Sequence, residues 1–199
     1  MKSLGAPVIF SHSCAQALLD HPRNVPDDVL RLVAANGGVV MVNFAPGYVS
    51  AARDRWDADQ AAEQTRFNSP PYVGLYIGQP ERAKAAMAAW EQQNPRPVTT
   101  LAQVADHIDH IKQVAGIEHV GLGSDFDGIG DAPVGLEGVD KYPVLLEELM
   151  RRGWTDADIA KLAGENLLRV WAAAEKVSLR LRAARPASGM LLVLPVHPP

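Results

Sequence analysis

Three short apolar runs, each rich in β-branched residues or glycine and each closed by polar residues, set the fold class of this 199-residue chain. They are Pro7–Ser11 (PVIFS), Gly38–Phe44 (GVVMVNF) and His119–Phe126 (HVGLGSDF). All three are apolar on both faces, the pattern of strands in a parallel sheet covered on both sides. Helical patterns lie between them. "NVPDDVLRLVAANGG" has a proline and two acids in its first turn, apolar residues at Val29, Leu32 and Val33, and a stop at Gly37. "TLAQVADHIDHIKQVAG" begins at a threonine cap, Thr99 or Thr100, carries Leu101, Val104, Ala105, Ile108, Ile111 and Val114 with helical spacing, and stops at Gly116. "YPVLLEELMRRG" and, after the Thr155 cap, "TDADIAKLAGENLLRVWAAAEK" are two further helices. The order β-α-β-(insertion)-α-β-α-α predicts an α/β fold with parallel strands and right-handed crossovers.

Residues 45–98 break this rhythm and read as an irregular, lid-like insertion with a helical "PERAKAAMAAWEQQ" inside it. From Ser178 onward periodicity fades, so the chain divides into a folded part over 1–177 and an irregular tail over 178–199. A net charge of −4 supplies no footprint for nucleic acid or an anionic membrane. Cys14 is the sole cysteine, so no internal disulfide and no oxidising compartment are implied. No apolar signal region precedes the first strand and no run is long enough to span a membrane, which sets a cytoplasmic location as the expectation.

Functional groups of parallel α/β sheets sit at the C-terminal ends of the strands. His12 follows the first strand, Asn43 and Tyr48 follow the second, and Ser124, Asp125 and Asp127 close the third. A strand-end histidine alone is most simply structural. Three strands in succession presenting polar groups to one rim is the pattern of a site, because an imidazole and a carboxylate from different strands can converge on a metal or a water. Arg23, between the first strand and its helix, lies on the same rim and could hold a substrate carboxylate; a solvated loop arginine is the simpler alternative. In "GLGSDFDG", Asp125 lies at the mouth, Phe126 points back into packing, and Asp127-Gly128 makes a turn. The acids at 125, 127 and 131 do not match a calcium loop, whose third acid and final glutamate are out of place here. His107 and Asp109 in "DHIDH" spell H-x-D, a metal pair when carried by a strand. On a helix, residues two apart point about 200° away from each other, so this pair is a decoy.

The runs "APVIFSHS", "RNVPDDVLRLV", "GGVVMVNF", "VADHIDHIKQVAGIEHVGLGSDFDG" and "YPVLLEELMRRGWTDADIAKLAGENLLRVW" together resemble the membrane (renal-type) dipeptidase family. The resemblance runs from Ala6 to Glu175. It implies a (β/α)8 barrel of TIM type, two zinc ions, and hydrolysis of dipeptides by a zinc-shared hydroxide. By resemblance, His12 is a ligand of the second zinc and Arg23 grips the substrate's terminal carboxylate. Asp125 faces the substrate and orients its amine or moves a proton, and Tyr48 lines the pocket.

The departure from the family is equally specific. The H-x-D after the first barrel strand, the bridging glutamate and the first histidine of the second zinc have no counterpart in this chain, and would lie upstream of Met1. Three strands where a barrel has eight, in ~250 residues, read as the last three βα units. The expectation is a partly liganded zinc site and a chain inactive or nearly so by itself. The alternative is a non-catalytic piece that interacts or dimerises through its open strand edges. A different amidohydrolase-like barrel acting on esters or amides would need a carbamylated lysine or further strand-end histidines, and neither is present.

Overall fold

The computed structural model describes residues 5–68 and 74–184. In chain order the elements are β1 (Ile9–Phe10), α1 (Asp27–Asn36), β2 (Val39–Asn43), α2 (Pro46–Val49), α3 (Ala51–Asn68), α4 (Pro80–Gln93), α5 (Leu101–Ala115), β3 (Val120–Ser124), α6 (Tyr142–Arg151), α7 (Asp156–Ala160) and α8 (Asn166–Ala184). The three strands form one parallel sheet in the order β1-β2-β3. Ile9 pairs with Val39, Met41 with Gly121, and a bulge between Val42 and Asn43 brings Asn43 level with Ser124.

The helix signals act where the sequence puts them. Asp27 and Asp28 occupy the first turn of α1, and Gly37 ends it in the left-handed conformation at φ 77°. Thr100, not Thr99, caps α5 in a capping box with Gln103, and Thr155 does the same for α7 with Asp158. The apolar face of α5 lands in the core: Val104, Ala105, Ile108 and Ile111 are fully buried with Leu30, Val40, Val42 and Phe44. Leu145 and Leu149 of α6 close the same cluster.

The last helix stitches the opposite end of the sheet. Asn166 is buried and donates from Nδ2 to the carbonyls of Ile117 and Val120, at the start of β3. Arg169 donates to the carbonyls of Gly37 and Glu118, just ahead of β2 and β3. These bonds fix the N-terminal strand ends and leave the C-terminal ends to the loops that carry the candidate site.

Five expectations change. The single helix expected after Thr155 is two, α7 and α8, parted by a kink at Gly164. β1 pairs over two residues rather than five. It is not covered on both faces by the described residues: Val8 is 38% and Ile9 41% exposed. Residues 45–98 are mostly helical, as α2, α3 and α4, rather than irregular. The local pattern concealed α3 because its composition is polar and few of its side chains are fully inside, Arg53 and Trp56 among them. It is held by tertiary contacts: the rings of Trp56 and Trp90 lie 5.7 Å apart, and Trp56 Nε1 donates to the carbonyl of Asn94 at 2.8 Å. The tail begins later than Ser178, since α8 runs to Ala184; residues 185–199 lie outside the described residues. Among the described residues, no helix is long and apolar enough to cross a membrane.

Candidate active site

Because the sheet is parallel, the segments following β1, β2 and β3 all leave from its C-terminal edge. Past β1, the chain stays bound to β2 through Ser13 N, which donates to Met41 O at 2.9 Å. It also passes close over β3: a Cβ at Gly123 would collide with the Ser11 carbonyl and crowd the His12 Cα. The glycine is therefore what lets the His12 segment lie against the third strand.

His12 has a partner on each ring nitrogen. Nδ1 lies 2.7 Å from Ser11 Oγ, and Nε2 lies 2.7 Å from Nη2 of Arg23. Arginine has donors only, so Nε2 accepts and the ring proton sits on Nδ1, donating to Ser11. Arg23 in turn lies over the ring of Tyr48, 5.4 Å from its centroid, and the ring of His21 packs on Tyr48 at 4.5 Å. Buried Asn24 fixes this arrangement. Its Oδ1 accepts from Cys14 N at 3.3 Å, and its Nδ2 donates to Leu19 O and Tyr48 O, both at 3.0 Å. Asn24 thus joins the loop after β1 to the turn after β2.

Asp125 sits at the end of β3 on an unusual backbone. Ser124 has φ 45° and Asp125 φ 75°, the left-handed region that costs a non-glycine residue about 1–3 kcal/mol. The bend aims the carboxylate across to β2, where Asn43 Nδ2 donates to Asp125 Oδ2 at 3.1 Å. The carboxylate also lies where a Cβ at Gly128 would be, so that glycine is needed for the close approach. Asp127 is exposed in the turn Phe126–Gly128, and Phe126 packs edge-on against Phe44 at 5.7 Å. Among the described residues, no hydrogen bond links the His12–Arg23 pair to Asp125.

The H-x-D of "DHIDH" is structural. His107 is buried; its Nδ1 accepts from Ala15 N and its Nε2 donates to Val49 O, each at 3.1 Å. Burial pushes its pKa down. Asp109 is spent elsewhere, accepting from Trp154 Nε1 and from Arg152.

The donors present do not by themselves make a zinc site. Among the described residues, no group of three or more His, Cys, Asp and Glu stands together to hold a metal ion. His12 offers one lone pair, and Arg23 already occupies it. A catalytic zinc takes about three protein ligands. Asn43 and Asn24 are the residues whose part the sequence concealed. Asn43 was legible only as a rim residue, although a polar side chain in an otherwise apolar strand calls for a buried partner. Nothing local marks Asn24.

A parallel α/β scaffold with an imidazole, a guanidinium and a carboxylate on the C-terminal edge of its sheet belongs to the broad class of strand-end-site proteins. The family is narrower. The chain belongs to the membrane dipeptidase family, peptidase family M19, whose model matches residues 2–185. Among solved structures it is similar to the probable dipeptidase PvdM from Pseudomonas aeruginosa, at 34% identity and a TM-score of 0.67, covering 87% of this chain and 46% of that one. A metallo peptidase from Rhodobacter sphaeroides, liganded with a phosphinate mimic of L-Ala-D-Ala, shares the fold at 24% identity and a TM-score of 0.58, over 84% of this chain and 36% of that one. An amidohydrolase from Pseudomonas aeruginosa shares it at 22% identity and a TM-score of 0.57, over 84% and 46%. The chain spans less than half the length of each.

Proposed function

We propose that this chain carries part of the substrate pocket of a zinc-dependent dipeptidase built on a (β/α)8 barrel. His12 is the zinc ligand, Arg23 the clamp for the dipeptide's terminal carboxylate, Tyr48 a wall of the pocket, and Asp125 the acid that faces the substrate amine or moves a proton. The observation that carries this reading is the meeting of His12, Arg23 and Tyr48, from two strand ends, in one cluster on the C-terminal edge. Family membership supports it independently.

The chemistry of the cluster fits the roles. A carboxylate is a stronger partner for a guanidinium than an imidazole lone pair is, and it accepts two parallel N–H bonds. A bound dipeptide C-terminus therefore draws Arg23 off His12, while the Tyr48 ring keeps the guanidinium over the pocket. Withdrawal of Arg23 frees His12 Nε2, the nitrogen whose lone pair a metal needs. With one such imidazole among the described residues, the 199-residue chain alone is inactive or nearly so.

The test has two arms. L-Ala-L-Ala and L-Ala-D-Ala are incubated with the purified chain and added zinc; no turnover is expected, and robust turnover would overturn the claim of an incomplete site. The same dipeptides are titrated by NMR. Shifts at Arg23 in the wild-type chain, and shifts at His12 and Tyr48 that vanish in Arg23→Ala, are expected, and their absence from the wild-type chain would sink the carboxylate clamp.

A second reading is favoured by the bare edge of β1. Val8, Ile9 and Leu32, the last 66% exposed, border an apolar groove of about 390 Å³ between β1 and α1. On this reading the chain is a non-catalytic piece that pairs with a second copy there. Light scattering separates the two: a dimer disrupted by Ile9→Lys supports it, and a monomer excludes it.

A further inference from the structure

We propose that Arg53 is a positioning residue that latches the turn carrying Tyr48 to the loop that follows Asp125, and so sets the mouth of the candidate site. The inference rests on the site assignment above.

Arg53 lies in the first turn of α3, five residues beyond Tyr48, and is only 6% exposed. Its guanidinium reaches in two directions. Nη1 and Nη2 form a bidentate pair with Asp131, at 2.6 and 3.0 Å. Nε donates to Asp57 Oδ1 at 2.7 Å. Asp57 reaches back to the Tyr48 turn: its Oδ2 would lie 3.0 Å from a Cβ placed at Gly47. A row of side chains thus runs from beside Gly47, through Asp57 and Arg53, to Asp131.

Asp131 stands six residues past Asp125 in the loop leaving β3. That loop has a second anchor, where Val134 N donates to Thr99 O at 2.8 Å and Leu101 N to Val134 O at 3.0 Å. Arg53 therefore holds the stretch between Asp125 and this anchor. Arg96 adds a weaker contact to Asp131 at 3.5 Å and lies over the Trp56 ring, whose other cation is Arg53. An exposed ion pair would do little here. This one is different, because a buried guanidinium that loses one of its two carboxylates is left only partly compensated, and its planar fork admits few alternative geometries. Nothing in the fold of the sheet requires the connection: β2 and β3 pair through their own ladder.

The test is hydrogen exchange on the full chain, which needs neither zinc nor substrate. In Arg53→Met, the bonded amides of Tyr48, Ser50 and Gly128 are expected to exchange about tenfold faster or more, while amides of Val40–Val42 and Val120–Leu122 stay near the wild-type rate. Arg53→Lys, which keeps the charge but gathers its donors on a single nitrogen, is expected to recover part of the protection. Asp131→Asn, altered on the more exposed partner, is expected to reproduce the loosening and serves if Arg53→Met does not fold. Unchanged loop protection in Asp131→Asn, or a uniform rise across loops and sheet alike, would overturn the proposal. Failure of the dipeptide titration would leave these exchange rates as they are, so the two readings fail separately.

Discussion

Asn43, buried at the end of β2, donates from Nδ2 to Oδ2 of Asp125 at 3.1 Å, and the same side chain accepts Ala45 N on Oδ1 at 2.5 Å. One amide therefore closes the exit of its own strand and steadies the carboxylate of the next. Asn43→Ala leaves the part-buried Ala45 N–H and a carboxylate oxygen without this partner. Loss of about 1–3 kcal/mol of stability is expected, read as a lower urea midpoint with an unchanged slope. Asn43→Asp, which sets a second carboxylate against Asp125, is expected to cost at least as much. A midpoint equal to wild type in both variants would remove Asn43 from this role.

His107 makes stability depend on pH in a defined direction. Its folded pKa is lowered, chiefly by burial, below the ordinary value of 6.5, and the hydrogen bond to Val49 O opposes that shift in part. The neighbouring Asp106 pulls its pKa up and His110 pulls it down. The unfolded chain therefore binds a proton that the folded chain refuses. The contribution is complete above about pH 6.5 and is lost as the pH falls below it. Protonation also removes the Nδ1 lone pair that accepts Ala15 N. His107→Gln is expected to flatten the stability profile between about pH 5 and 6.5, measured by urea melts at each pH. An unaltered slope would show that other groups carry it.

Gly123 and Gly130 offer a matched pair. A Cβ at Gly123 would collide with Ser11 O and lie 2.8 Å from Met41 O, whereas one at Gly130 meets nothing within 4 Å. Gly123→Ala is expected to cost about 2 kcal/mol or more, since backbone rather than a flexible side chain must yield. Gly130→Ala is expected to stay within about 0.5 kcal/mol of wild type. Thermal melts of the two variants decide the matter, and equal melting temperatures would contradict the close crossing of the His12 segment over β3.

Cys14 is fully buried, and burial pushes its thiol pKa up to about 12. Its Sγ donates to Asn43 O at 3.2 Å, in the same knot as the site residues. Alkylation at pH 8 is expected to be negligible in the folded chain and complete in denaturant, since the thiolate is the reactive form. Rapid labelling under native conditions would show that the loop after β1 opens readily.

What the residues determined on their own is the local grammar. Apolar runs of β-branched residues named the three strands, and threonine caps and glycine stops placed the end of α1, both ends of α5 and the start of α7 to within a residue. These signals are legible because each acts between residues a few positions apart. The same locality identified His107 and Asp109 as helical and therefore not a metal pair. What only the tertiary structure decided spans the whole chain. It shortened β1 to the two residues that pair with β2, and it folded the polar α3 by docking Trp56 and Arg53. It bent Ser124 and Asp125 into the left-handed region so that a carboxylate reaches a residue 82 positions away. It also gave His12 an arginine partner that no spacing announces. Such pairings depend on which loops the sheet brings side by side, and that follows from the order and direction of the strands rather than from any one segment's composition.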